Sequence, residues 1–256
     1  MNILAKNITN LDLKEMEGSL LSFAIMESTK DSKNFNVDKV REALEIAAYL
    51  HRSDTRANRA NLPRDTYITH PYRNTLRILR YGCSNHDVVV ASILHDTVED
   101  HALDIVTEFL ENQNPSSSLR TLMDESLVYF SETFGPEVAR IVSAVSNPPL
   151  PKTLTKVEKR ALYAEHVLSV IEDPHVFLVK FSDFVDNAVG LYHNTGNPVM
   201  VDHLSQKYLQ LVEAFEQRLE SEATTRTIPV TDEGLEEMRN HLQAGKTRLL
   251  GLRNSK

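Results

Sequence analysis

The stretch Val88–His101, VVVASILHDTVEDH, is an apolar run that ends abruptly in five ionisable side chains. Such groups at the end of a core segment are costly unless they are paired or coordinate a metal. Read as one helix, it places His95 beside Asp96, Glu99 four residues after His95, and Asp100 four after Asp96, so one polar edge presents all four. Imidazole next to carboxylate suits manganese, iron, cobalt or zinc better than calcium, which prefers oxygen alone. Two adjacent ligands do not make a site, and the others must come from the ends of other segments. His70 is well placed, at the start of the helix that turns back into the His95 segment. A second apolar run, VFLV at 176–179, leads into KFSDFVDNAVGL, where Asp183 and Asn187 lie four apart on one face and Asp186 is a substitute for Asp183.

The elements that must position these residues are helices. Val37, Val40, Leu44, Ala47 and Ala48 recur at spacings of three and four, which predicts a helix over 37–52. Arg52–Asp65 is polar, carries Arg56 and Arg59, contains Pro63 and reads as a surface loop. Pro71 suits the first position of a helix that Gly82 stops, and Ser84 or Asn85 can cap the next, which runs through His95 and Asp96. Further helices are expected near 102–112, 119–133, 136–146, 156–172, 175–193, 199–222 and 231–250. The resulting organisation is an N-terminal segment over 1–36, a catalytic domain over 37–196 and a C-terminal helical extension over 197–256. The extension is expected to serve packing or homo-oligomerisation.

Composition supports an all-α class: 256 residues with 8 glycines, no tryptophan and 41% apolar residues. The net charge of -8 argues against a nucleic-acid partner, so positive charge for a phosphate ester must be concentrated locally. Leu20–Met26 is too short to span a bilayer, which argues against a membrane partner. The single cysteine, Cys83, fits a reducing compartment, and the expected location is the cytoplasm.

Three segments, YITHP at 67–71, ILHDTVED at 93–100 and KFSDFVDN at 180–187, resemble the hydrolase motifs of the RelA/SpoT homologue family, in the family's order and spacing. His70 and His95 are 25 residues apart, and Asp96 and Asp183 are 87 apart. The resemblance covers roughly residues 37–193 and implies an HD-domain helical bundle with extra C-terminal helices, as in the small, hydrolase-only members. It implies one metal ion, usually Mn²⁺, held by His70, His95, Asp96 and Asp183. It also implies catalysis by Glu99 and Asp100, a ribose contact from Asn187, and a phosphate-facing helix carrying Lys156 and Arg160. His51-Arg52 followed by Arg56 resembles the family's H-R-x-x-x-R start, in which the second arginine stacks on guanine. The implied partner is the guanine nucleotide (p)ppGpp, cleaved to GDP or GTP plus pyrophosphate. Aspartate at 186, where the family usually has histidine or tyrosine, is expected to add negative charge near the metal.

Singly, each residue has a plainer reading: His70 as a cap, Glu99 and Asp100 as a solvated helix end, Asp183 and Asn187 as surface polar groups. Three ordered motifs beside apolar runs reverse those odds. For Arg56, Lys156 and Arg160 the plain surface reading stays about equal. The remaining histidines, His51 and His101 among them, read as structural or solvent-facing. Rival functions are an HD-type hydrolase acting on the NADPH 2′-phosphate or a dNTP, and a nucleotide-binding domain without turnover.

Overall fold

The computed structural model describes residues 7–8, 11–56, 65–191 and 198–254. Arg59 and Pro63, and the domain boundary expected near 197, lie outside the described residues. Among those described the chain is all-α, with a lone antiparallel bridge between Thr55 and Thr66 as its only β pairing. Residues 1–36 hold more structure than their polar composition suggests: a 3-10 turn at Leu13–Glu15 precedes α1 (Gly18–Thr29), whose Leu21, Ala24 and Ile25 are buried. Helix α2 (Val37–Leu50) opens on the Asn36 side chain, which accepts from the Lys39 amide at 3.2 Å. Its buried stripe is Val40, Ala43, Leu44, Ile46, Ala47 and Leu50, while Ala48, expected on that face, is exposed.

Helix α3 (Thr69–Arg80) is the central element, in contact with α1, α4 (His86–Leu94) and α9 (Pro174–Gly190). Every residue from Thr69 to Ile78 is buried, although the segment includes His70, Arg73, Asn74 and Arg77. A polar helix enclosed on all sides must satisfy its side chains internally. Pro71 is its third residue rather than its first, because Thr69 and His70 already donate to Thr66 and Tyr67 carbonyls at 3.3 and 2.8 Å. Gly82, at φ +79°, ends α3, and Asn85 caps α4 by accepting from the Val88 amide at 3.1 Å.

The helix expected to run through His95 and Asp96 is interrupted there. The His95 ring nitrogen Nδ1 pairs with the Ser92 carbonyl at 2.8 Å, and the Thr97 hydroxyl donates to the Leu94 carbonyl at 2.6 Å. Side chains thus occupy carbonyls that the next turn's amides would use, and α5 (Thr97–Asp104) starts afresh with Asp96 at its cap. It continues into a π turn at Ile105–Phe109, followed by α6 (Leu119–Phe134), α7 (Pro136–Val145) and α8 (Lys156–Val170), the last with a Thr155–Glu158 capping box. The segment expected as one helix over 199–222 is two, α10 (Pro198–Leu209) and α11 (Val212–Thr225). The Gln210 side chain takes the Gln206 carbonyl at 2.9 Å at the break, which lets Tyr208, Leu211, Val212 and Phe215 all turn inward.

The last helix, α12 (Asp232–Asn254), packs on α9 and α10 and meets the end of α3. Thr231 donates its amide to the Tyr81 carbonyl at 3.1 Å, and the Tyr81 hydroxyl pairs with His241 Nδ1 at 2.7 Å. No helix among the described residues is long and apolar enough to cross a membrane.

A Cβ on Gly234 would lie 1.9 Å from the Tyr81 carbonyl oxygen. Gly234→Ala is therefore expected to lower the denaturant midpoint by the equivalent of about 1–3 kcal/mol, and an unchanged midpoint would show that α12 does not seat on Tyr81. Burial, reinforced by the Arg77 charge, pulls the His241 imidazole down to about 4. Since this value is depressed from about 6.5, the contribution is complete above pH 6.5 and fades as pH falls toward 4. Wild type should lose stability across that window relative to His241→Gln; parallel pH profiles would refute the assignment.

Candidate metal centre

Three helix ends meet at one point. His70 lies in the first turn of α3, His95 and Asp96 occupy the α4–α5 break, and Asp183 projects from the middle of α9. His70 Nε2 is 3.0 Å from Asp183 Oδ1 and 3.6 Å from Asp96 Oδ2, and His95 Nε2 is 3.1 Å from Asp96 Oδ2. Ligand atoms of His70, His95 and Asp183 all lie within 4.8 Å of one another.

Each proposed ligand is held from behind. The outer nitrogen of His95 is on the Ser92 carbonyl and that of His70 is on Asp186 Oδ2 at 2.8 Å. Asp96 accepts from the Tyr67 hydroxyl at 2.8 Å, and Asp183 accepts from the Asn187 amide at 2.6 Å. Anchoring the outer face of a ligand fixes its tautomer and aims its inner donor. His95 Nε2 is buried and makes no hydrogen bond of acceptable geometry despite its approach to Asp96. Two imidazoles and two carboxylates around such an atom fit a borderline divalent cation.

The electrostatics carry the same demand. Burial opposes charge on both partners, yet the Asp96 carboxylate lifts His95 to about 9, and the histidines hold Asp96 and Asp183 below the ordinary carboxylate range. The carboxylates draw positive charge into a water-poor site.

Asp186 behaves differently from the expectation that it adds negative charge or substitutes for Asp183. It is fully buried, and its oxygens accept from Arg73 Nε and Nη2 at 2.9 and 3.0 Å and from Arg77 Nη2 at 3.2 Å. Lys14 Nζ, from the N-terminal segment, is 2.8 Å away. Despite burial, these cations and His70 keep its acid form far below the usual range, while burial draws Lys14 down to about 7. With both oxygens engaged by four partners, Asp186 orients His70 and has no oxygen free to take the place of Asp183.

Glu99 and Asp100, one turn along α5, face a cavity of about 440 Å³ that also receives Lys156, Lys159 and Arg160 of α8 and His203 and Lys207 of α10. Glu99 accepts from the Asn147 backbone amide at 2.8 Å, and its acid is raised by burial and by Asp96. Asp100 reaches solvent at the cavity edge, but its crowded base and the neighbouring Asp96 and Glu99 carboxylates push it up to about 7. The other sequence-selected residues sit across the metal ligands: Arg56 donates to Asn187 Oδ1 at 2.8 Å, and its guanidinium lies 5.6 Å from the Tyr67 ring centre. The antiparallel pairing of 54–56 with 65–67 holds it there, with Arg56 N on Asp65 O at 2.9 Å and Tyr67 N on Asp54 O at 3.0 Å. Arg56, Asn187 and Asp183 thus form one continuous chain of hydrogen bonds.

No family model matches the chain. A human protein named guanosine-3′,5′-bis(diphosphate) 3′-pyrophosphohydrolase MESH1 is 31% identical over 171 residues, 66% of this chain and 78% of that protein. The chain belongs to this pyrophosphohydrolase family. The Drosophila melanogaster MESH1 is 27% identical over 158 residues, 61% of this chain and 72% of its own length. The similarly named protein of Aquifex aeolicus is 27% identical over 157 residues, but the chain spans only 18% of it.

Sequence reasoning missed the family member's supporting groups: Lys14, Tyr67, Arg73, Arg77, Asn147 and Lys207. Arg73 and Arg77 had a signal, because they follow His70 by three and seven residues on one helix face. Lys14 had none, being 172 residues from its partner. Replacing Asp186 with Asn would leave Arg73 and Arg77 undercompensated and His70 weakly oriented. The variant is expected to bind divalent metal about 10–100-fold more weakly, with a lower melting temperature; wild-type affinity in isothermal titration would remove Asp186 from this role.

Proposed function

We propose that the chain hydrolyses guanosine 3′-diphosphate alarmones, (p)ppGpp, to GDP or GTP and pyrophosphate, using Mn²⁺ held by His70, His95, Asp96 and Asp183. The observation that carries the reading is the convergence of those four donors beside a cavity that pairs acidic Glu99 and Asp100 with cationic Lys156 and Arg160. The names of the relatives supply the substrate class. The hydrolase unit is taken as 37–196, buttressed by Lys14 before it and by His203 and Lys207 after it. The buried single cysteine, Cys83, is in keeping with a cytoplasmic setting.

When bound, a divalent cation lowers the pKa of water from about 15.7 toward 7 and offsets phosphate charge. The chain's own groups do the rest. Lys156 and Arg160 bind the diphosphate oxygens, and Arg56 with Asn187 addresses the nucleoside side of the site. The bond from phosphorus to the ribose 3′ oxygen breaks, the oxygen of water ends on pyrophosphate, and a proton must reach the 3′ oxygen. Asp100, whose acid is raised first of all by burial, is suited to carry that proton, and Glu99, fixed by Asn147, is suited to take one from water.

Purified protein with Mn²⁺ should release pyrophosphate from ppGpp in preference to phosphate from NADPH or hydrolysis of dNTPs. Asp96→Ala should lose turnover and the metal held by this centre, and Asp100→Asn should lower kcat about 10²–10⁴-fold with little change in metal content. Preferential turnover of NADPH or a dNTP would move the reaction to that substrate; binding of ppGpp without turnover would make the domain a nucleotide receptor; full activity in Asp96→Ala would remove the metal centre from the reaction.

A further inference from the structure

A second group of donors lies on the far side of Tyr67. Asp54 Oδ2 is 2.8 Å from His51 Nδ1 and 2.7 Å from His101 Nε2, and the two ring nitrogens are 3.1 Å apart. Three donor atoms therefore meet at mutual distances of 2.7–3.1 Å. Ligands bonded to one tetrahedral zinc ion at about 2.0–2.1 Å are separated by about 3.3 Å. The outer nitrogen of His101 is 2.9 Å from Asp104 Oδ2, the carboxylate–imidazole arrangement that supports a ligating histidine.

The backbone is shaped to this end. His101 departs from helical geometry within α5, at φ -131° and ψ 23°, and its ring meets that of His51 edge-on at 4.6 Å. His51 follows the last residue of α2, its side chain is fully enclosed, Nδ1 faces Asp54, and its outer Nε2 has no hydrogen-bond partner among the described residues. Asp54 is about one-third exposed, which leaves an open side for water ligands. The cluster shares two features with the first centre: one imidazole backed by a carboxylate, and inner nitrogens crowded on one carboxylate oxygen. Tyr67 separates the two, its ring 4.7 Å from His51 and its hydroxyl on Asp96.

We propose that His51, Asp54 and His101 form a second divalent-cation site, selective for zinc-like ions and supported by Asp104. Two imidazoles and one carboxylate with an open position match the donor set of zinc better than that of calcium or magnesium. Its place in the fold gives it a clamping role. It joins the end of α2 and the 52–56 segment that carries Arg56 to the helix that carries Glu99 and Asp100. The site does not rest on the identity of the substrate.

Metal-stripped full-length protein titrated with Co²⁺, followed by visible absorption and by elemental analysis after dialysis against Zn²⁺, distinguishes the two sites. Wild type is expected to hold two equivalents, His101→Gln and Asp54→Asn one each, Asp96→Ala one, and Asp96→Ala combined with His101→Gln none. The equivalent remaining in His101→Gln reports an intact first centre and hence a folded chain. If both His101→Gln and Asp54→Asn fail to fold, Asp96→Ala decides alone: one equivalent retained supports the second site, and none overturns it. A single equivalent in wild type, or two in His101→Gln, also overturns it.

Discussion

A carboxylate without access to water fixes the geometry of the centre. Asp186 is buried in the middle of α9, where an isolated charge would be prohibitive, and it is tolerated only because Arg73, Arg77 and Lys14 converge on it. Those cations are themselves buried or nearly so, and without Asp186 they would lose their shared carboxylate. The network depends on that one group. It locks α3 to α9, draws in the N-terminal segment through Lys14, and leaves one Asp186 oxygen to aim His70. Replacing such a network by apolar side chains can cost little stability, but no apolar side chain would hold the imidazole in place.

The same reasoning explains why α3 is polar yet central. A helix buried on every side by α1, α4 and α9 is usually apolar all round. Here Arg73, Asn74 and Arg77 spend their donors inside: Arg77 on Asn74, on the Ser182 carbonyl and hydroxyl, and on Asp186. Ser182, Asp183 and Asp186 belong to one short stretch of α9, so a single helix–helix contact carries both the structural network and a proposed ligand. Specificity of packing and placement of the donor are the same event.

Much of this could be read before the fold was known, and the limits follow from the range of the interactions. The His95–Asp96 pair and the Asp183 run were visible because an apolar run ending in ionisable groups is a local anomaly. Helix positions were visible from period and caps, as with the Val40–Leu44–Ala47 stripe of α2 and the Asn85 cap of α4. The break at 95–96 was not, since it depends on the His95 and Thr97 side chains competing for the Ser92 and Leu94 carbonyls, which periodicity does not register. The role of Asp186 was not legible, because it is set by Arg73, Arg77 and Lys14, distant in sequence by 113, 109 and 172 residues. His51 and His101 passed as structural because only the fold brings them to Asp54.

The charge distribution resolves a tension in the composition. A chain of net charge -8 should repel a polyphosphate. The excess acid is spread over helix faces, whereas Lys156, Lys159, Arg160 and Lys207 gather on one wall of a cavity opposite Glu99 and Asp100. Three of those four lie on the first turns of α8 and one on α10, so the wall is complete only once the helix that follows residue 197 has docked. The C-terminal helices, legible in the sequence as packing elements, contribute to the binding surface itself. Lys207 makes the point most directly: its ammonium lies 3.7 Å over the Tyr163 ring of α8. Held on that aromatic face, the ammonium makes no salt bridge among the described residues, and it faces the same cavity as Glu99 and Asp100.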